Sequence, residues 1–319
     1  MKFRKSLSLT ICQTIAILMG MLLYSLAAGA SRHQGEGQFV HEGCTLHYRT
    51  IGKGAPILML SGGPGIDVSY LEPVAKELSR THECILLEQR GTGRSKLPAI
   101  TSANMSLNIV VGDVEALRVH LKLNKLTIFG HSWGGMLAMS YAVSYPDKVE
   151  ELILCSSGGA NRDFMKTFSD NIDCRLTPEE LKLSNKFDNP TYRRVDPQKA
   201  SIEHLKSIAP AYFFDRANVR LLTDQLNKNT FAPGVNSTLM RDLMQRNYDL
   251  RVELRRVECP VLILQGHQDP IGEGTAYETK ACLQNSTITF IDKCGHFPWL
   301  ERPKTFYPIL FKFLEKGRN

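Results

Sequence analysis

Three residues in this chain have the types and the order for nucleophilic catalysis: Ser132, Asp269 and His296. A serine hydroxyl is a poor nucleophile at neutral pH until a neighbouring imidazole takes its proton, and the imidazole needs a carboxylate to fix its tautomer and stabilise its cation. Ser132 sits in Gly130-His131-Ser132-Trp133-Gly134-Gly135, after the apolar run 126–129 and before a helix-like segment over 136–145. Strand, sharp turn and helix in that order expose the serine hydroxyl above a sheet edge, and the flanking glycines let strand and helix approach closely.

His296 and Asp269 each fall just past an apolar run, 287–291 and 260–265. A parallel sheet collects its active groups in loops at the carboxyl ends of its strands, so both are placed to meet Ser132. Competing histidines are His131, expected to point away beside the nucleophile, and His267 on the acid's own loop; Asp292 and Glu273 are the alternative acids. Acyl transfer also needs rigid N–H donors for an oxyanion. Ser61-Gly62-Gly63-Pro64-Gly65 follows the strand-like run 56–60, and it assigns the donors to Gly63 and to Trp133, the residue after the nucleophile.

The elements that must position these groups alternate. Loose alternation over 38–49 predicts an antiparallel pair; short buried strands are predicted at 56–60, 84–87, 126–129 and 149–155, with helices at 70–78 and 107–121 between them. Such alternation predicts an α/β fold with a mostly parallel central sheet flanked by helices. It stops after Ser156-Ser157-Gly158-Gly159. Residues 160–256 are helix-like and broken by Pro178, Pro190, Pro197, Pro210 and Pro233, which predicts an inserted helical cap that walls the pocket. The sheet pattern resumes at 260 and closes on an amphipathic helix over 303–316. The expected organisation is therefore a catalytic domain of residues 31–159 and 257–319 with a cap of residues 160–256.

Composition narrows the class. With 319 residues and 43% hydrophobic, the chain can bury a large core. Of its net charge of +7, Lys2, Arg4 and Lys5 carry three, leaving +4 with no dense basic block, so no nucleic-acid partner is expected. Those basic residues precede an uncharged apolar run over 7–26 that ends on Ala28-Gly29-Ala30. Residues 1–30 thus carry the pattern of a signal peptide for export, or of a membrane anchor if the segment is retained. Outside it stand seven cysteines, of which Cys84 and Cys155 lie in strand-like runs and are expected as buried thiols. Without Cys-x-x-Cys, His-Glu-x-x-His or a complete phosphate or dinucleotide loop, no metal and no cofactor are expected.

Taken together, Ser61-Gly62-Gly63-Pro64-Gly65, Glu88-Gln89-Arg90-Gly91-Thr92-Gly93-Arg94-Ser95 and the segment around Ser132 resemble the prolyl iminopeptidase branch of the α/β-hydrolase superfamily. Ser61 stands where that branch has histidine, and Glu88 where it has aspartate. The resemblance implies the triad Ser132, Asp269 and His296, and a serine hydrolase that releases N-terminal residues, proline favoured, from small peptides. It also implies cap glutamates for the substrate's amine, with Glu179, Glu180, Glu203 and Glu253 as candidates; substrate contacts are assigned to Glu203, Tyr212 and Phe213. The alternatives are a carboxylesterase or other small ester or amide hydrolase with the same triad, and a catalytically silent binding protein.

Overall fold

A computed structural model describes residues 35–226 and 231–316; the expected signal segment lies outside the described residues. The centre is an eight-stranded sheet in the order β1-β2-β4-β3-β5-β6-β7-β8. β1 (Gly35–His41) and β2 (Cys44–Gly52) form a hairpin, and β2 runs antiparallel to β4 (His82–Glu88). Glu42 and Gly43 turn that hairpin with φ of 44° and 67°, the pair of positive angles a tight two-residue loop requires. β3 (Ala55–Leu60), β5 (Leu126–His131), β6 (Val149–Cys155), β7 (Val261–Gly266) and β8 (Ser286–Ile291) complete the sheet in parallel.

Parallel pairing demands crossovers, and helices supply them while covering both faces. Strands covered on both sides carry continuous apolar runs rather than alternating ones, residues 84–87 in β4 and 261–264 in β7, and every residue of both strands is buried. α1 (Glu72–Leu78), α2 (Leu107–His120) and α3 (Trp133–Ser144) follow β3, β4 and β5. α2 buries Val110, Val111, Val114 and Leu117 on one stripe, starts on a Ser106 cap that accepts from the Ile109 N–H, and was legible from that spacing. Burying each such side chain stabilises by roughly 1.5–3 kcal/mol before chain entropy is counted.

The helix expected over 70–78 divides. Val68–Leu71 forms a 3₁₀ turn capped by Asp67, and α1 begins only at Glu72 because Pro73, lacking an N–H, fits the first helical turn and not an interior. That division turns Tyr70 toward the site.

Between β6 and β7 the chain runs through α4 (Phe164–Asp173), α5 (Pro178–Asp188), α6 (Pro190–Val195), α7 (Pro197–Ile208), α8 (Val219–Thr223) and α9 (Val235–Gln245). Pro178, Pro190 and Pro197 each occupy the first turn of a helix, so the prolines that break the sequence pattern are helix starts. The chain then finishes through α10 (Glu273–Cys282), the short α11 (Pro298–Glu301) and α12 (Pro303–Lys316). The seven described cysteines, Cys84 and Cys155 among them, are free thiols.

β3 pairs with β4 on one side and β5 on the other, so successive crossovers leave it in opposite directions. The crevice at the carboxyl ends of β3 and β5 is the place where such a sheet receives a ligand.

Candidate active site

Ser132 lies in that crevice, between the end of β5 and the first residue of α3, with φ 56° and ψ −119°. A serine in this region costs about 1–3 kcal/mol and persists only when its surroundings over-determine it. Here they do: Ser132 N–H donates to the Cys155 carbonyl at 3.1 Å, and its own carbonyl accepts from Gly135 at 3.0 Å and Gly158 at 3.2 Å. The glycines are forced by close approach. A Cβ on Gly134 would lie 2.2 Å from the Leu60 carbonyl oxygen, and one on Gly130 would lie 2.4 Å from the Gly134 carbonyl.

His296 and Asp269 come together across the loops after β8 and β7. His296 Nδ1 lies 3.0 and 3.1 Å from the two Asp269 carboxylate oxygens, with both residues buried. Burial alone would push the Asp269 carboxyl up, but His296, by charge and by hydrogen bond, and the Ile271 N–H bring it below its ordinary value. A carboxylate at Nδ1 fixes the proton there and leaves Nε2 as the proton acceptor. His267 instead meets Glu273 at 2.7 Å on the exposed surface, and Asp292 is exposed.

Ser132, His296, Gly63, Trp133 and Tyr212 all line one cavity of about 650 Å³. Gly63 has φ +114°, reached without strain only by glycine, and among the described residues no hydrogen bond claims its N–H. Trp133 begins α3, so its N–H belongs to the helix's first turn and has no intrahelical acceptor. Both N–H groups are thus available where the hydroxyl of Ser132 opens. The adjoining Gly62 N–H is not, since it donates to the Tyr70 hydroxyl at 2.6 Å.

His131 departs from expectation. Its ring does not point away: it lines the cavity, stacks obliquely 4.7 Å from the His296 ring, and places Nε2 3.0 Å from the His296 carbonyl oxygen. Burial, and then the charge of His296, hold its pKa well below the ordinary value.

The segment between β6 and β7 contributes apolar walls, among them Phe164, Met165, Phe168, Leu205, Leu226 and Met240. Of its polar groups, Arg193, Ser201, His204, Gln225, Asn236 and Ser237 reach the cavity. None of the proposed glutamates does. Glu180 closes a capping box with Thr177 and pairs with Arg216, Glu203 pairs with Lys206 at 3.0 Å, and Glu179 and Glu253 are exposed. Among the described residues, the carboxylates on the cavity are Asp67 and Glu72, both from the segment after β3. Phe213 is also not a wall residue; it is buried and stacks on Phe297, ring centroids 5.4 Å apart, as core.

Three residues at the site carried no role in the sequence reading. Gln89 sits in the Glu88–Ser95 motif, which carries the family resemblance but assigns this side chain no role; its amide donates to the Ser61 carbonyl and hydroxyl, both at 2.9 Å. Tyr70 and Glu301 have no sequence signal, because the partners that give them a role at the site, His131 for Tyr70 and Phe214 and Asp215 for Glu301, lie 61 and more residues away. Glu301 accepts from Phe214 at 3.0 Å, Asp215 at 3.1 Å and Gly295 at 2.6 Å, tying the segment after α7 to the His296 loop.

Comparison with known proteins agrees with this architecture. The family model described as the alpha/beta hydrolase fold matches residues 55–303, so the chain belongs to that family. Within it the chain is proline iminopeptidase-like. It is 25% identical to a proline iminopeptidase of Lactobacillus helveticus over 88% of this chain and 98% of that protein, and 26% identical to the AB hydrolase superfamily protein YclE of Bacillus subtilis over 86% and 97%. Its backbone superposes on a proline iminopeptidase of Mycobacterium smegmatis with a TM-score of 0.64 at 17% identity, covering 89% of this chain and 98% of that one. A thermophilic esterase from Thermogutta terrifontis gives 0.67 at 20% identity, covering 89% and 99%. At those identities the structural likeness speaks for the fold alone.

Proposed function

We propose that this hydrolase works through an acyl-enzyme on Ser132, with His296 as general base and acid and Asp269 as its orienting carboxylate. The observation that carries the reading is the buried His296–Asp269 pair opening on the same cavity as the strained Ser132 and the free N–H of Gly63. Ser132 Oγ attacks a carbonyl carbon while His296 Nε2 takes its proton; the oxyanion is held by the N–H groups of Gly63 and Trp133. Collapse expels the leaving amine or alcohol with the proton from His296, and water, activated by the same base, releases the acid. Proton transfer of this kind contributes on the order of 10²–10⁴ in rate, and a single oxyanion donor about 10²–10³.

The favoured acyl donor is the N-terminal residue of a small peptide, proline above others. Relatives that cover nearly the whole chain support it, and Asp67 and Glu72 are the carboxylates available to a substrate amine. The roofed, apolar cavity suits small substrates and not folded proteins. A second reading, a small ester or amide hydrolase, is favoured by one observation: the cap glutamates lie off the cavity. Turnover of proline and alanine arylamides against short-chain aryl esters decides between them; ester turnover with no amide turnover would sink the peptidase reading.

Residues 160–256 act in this scheme as a cap over the catalytic domain, and the basic, apolar and small-residue order of residues 1–30 supports export. N-terminal sequencing of the mature protein from the exported fraction tests the latter; a chain that still begins at Met1 in the cytoplasm would overturn it.

A further inference from the structure

The hydrogen bonds around His131 have one self-consistent direction. A carbonyl oxygen only accepts, so His131 Nε2, 3.0 Å from the His296 carbonyl, carries the proton. Held neutral in its buried site, the ring then offers Nδ1 as a lone pair, and the Tyr70 hydroxyl 2.8 Å away donates to it. The Tyr70 oxygen in turn accepts from the Gly62 N–H at 2.6 Å. One chain thus runs from Gly62 through Tyr70 and His131 to the backbone of His296.

Its two ends matter because of their neighbours. Gly62 precedes Gly63, and a Cβ on Gly62 would lie 3.0 Å from the Ser132 Cβ. His131 precedes Ser132 itself. The far end is the peptide carbonyl of His296, whose N–H is fixed separately by the Tyr212 carbonyl at 2.7 Å. Phe297 and Trp299 close around the ring with centroids 5.3 and 4.8 Å away, the latter edge-on, so the imidazole has no room to rotate out of the chain.

We infer that Tyr70 and His131 are positioning residues: their hydrogen-bonded chain holds the Gly62–Gly63 loop and the His296 backbone at one spacing, so that oxyanion donor and base meet the same carbonyl. The inference rests on Ser132, His296 and Gly63 having the roles given above. Their geometry must be held to a fraction of an ångström for full effect. The chain acts on the transition state, in which the oxyanion and the protonated base exist together, and scarcely on substrate binding.

The test compares wild type, Tyr70→Phe, His131→Asn and the double variant, using a short-chain p-nitrophenyl ester and labelling by a fluorophosphonate, with circular-dichroism melting as the check on folding. Tyr70→Phe should lower kcat about 10–100-fold, with KM within about twofold, and slow labelling in parallel. Because the two side chains belong to one chain, the double variant should lose little more than the worse single variant. A folded Tyr70→Phe with wild-type kcat, or losses that multiply in the double variant, would overturn the inference. Should Tyr70→Phe fail to fold, His131→Asn carries the same test: a kcat loss at constant KM supports the chain, and an unchanged kcat refutes it. Wild type that is neither labelled nor active on the ester would remove the serine-hydrolase reading and this inference with it, whereas a labelled wild type with an unaffected Tyr70→Phe removes only the inference.

Discussion

The indole N–H of Trp133 donates to the Gln89 side-chain oxygen at 3.1 Å, while the amide nitrogen of the same Gln89 donates to the carbonyl and hydroxyl of Ser61. One buried side chain thereby joins the residue after Ser132 to the loop that carries Gly63. The two proposed oxyanion donors come from segments about 70 positions apart in the chain, and Gln89 is the brace between them. An amide suits the task because it donates and accepts at once.

Replacing that brace with an apolar residue of similar size gives the first prediction. Gln89→Leu should fold but lose about tenfold or more in kcat, with little change in KM, because the donors remain present and lose only their spacing. Steady-state kinetics on the aryl ester measures it. An unchanged kcat would mean that the loop and α3 hold themselves.

His296→Ala should abolish turnover and fluorophosphonate labelling in a protein that still folds, with a lowered melting temperature because the buried Asp269 carboxylate loses its partner. Asp292→Ala, at an exposed position just after β8, should be silent in both assays. The opposite pattern would reassign the base and its acid.

Asp269 should leave a pH signature. Its folded-state pKa is depressed, so its pairing with His296 stabilises the fold above the unfolded carboxylate's value near 3.8, and that contribution is lost as pH falls through the lower folded value. Urea midpoints of wild type and Asp269→Asn should therefore converge as the pH is taken below about 4. In activity, Asp269→Asn should cost on the order of 10³–10⁴ in kcat near neutrality, through loss of the imidazole's tautomer and cation. Midpoints that stay equally separated at every pH would show that the pair does not couple ionisation to folding.

Glu301 joins the segment after α7 to the His296 loop through three backbone N–H groups. Glu301→Ala leaves those donors without their acceptor in a buried place, which should destabilise by on the order of 3 kcal/mol. Equilibrium urea unfolding at neutral pH measures the loss. A change within about 0.5 kcal/mol, the range of an ordinary surface substitution, would show that water replaces the carboxylate.

The amino-acid sequence determined the parts whose signal is local. β4 and β7 are legible because burial on both faces makes residues 84–87 and 261–264 continuously apolar; α2 is legible from its buried stripe; the turn at Ser132 is legible because Gly130 and Gly134 must sit where a Cβ would strike a carbonyl. The order Ser132, Asp269, His296 and its place at strand ends could likewise be read, and the structure brings Asp269 and His296 into contact. What only the tertiary structure decided depends on where distant segments meet. Glu203 and Phe213, credible from residue type, turn to Lys206 and to the core; His131, expected to face away, packs against His296; and Gln89, Tyr70 and Glu301 acquire their partners through the sheet order and not through spacing. A side chain's residue type fixes which bonds it can make, but its neighbours are fixed by the crossovers between strands, which is why the elements were written in the chain and the cavity wall was not.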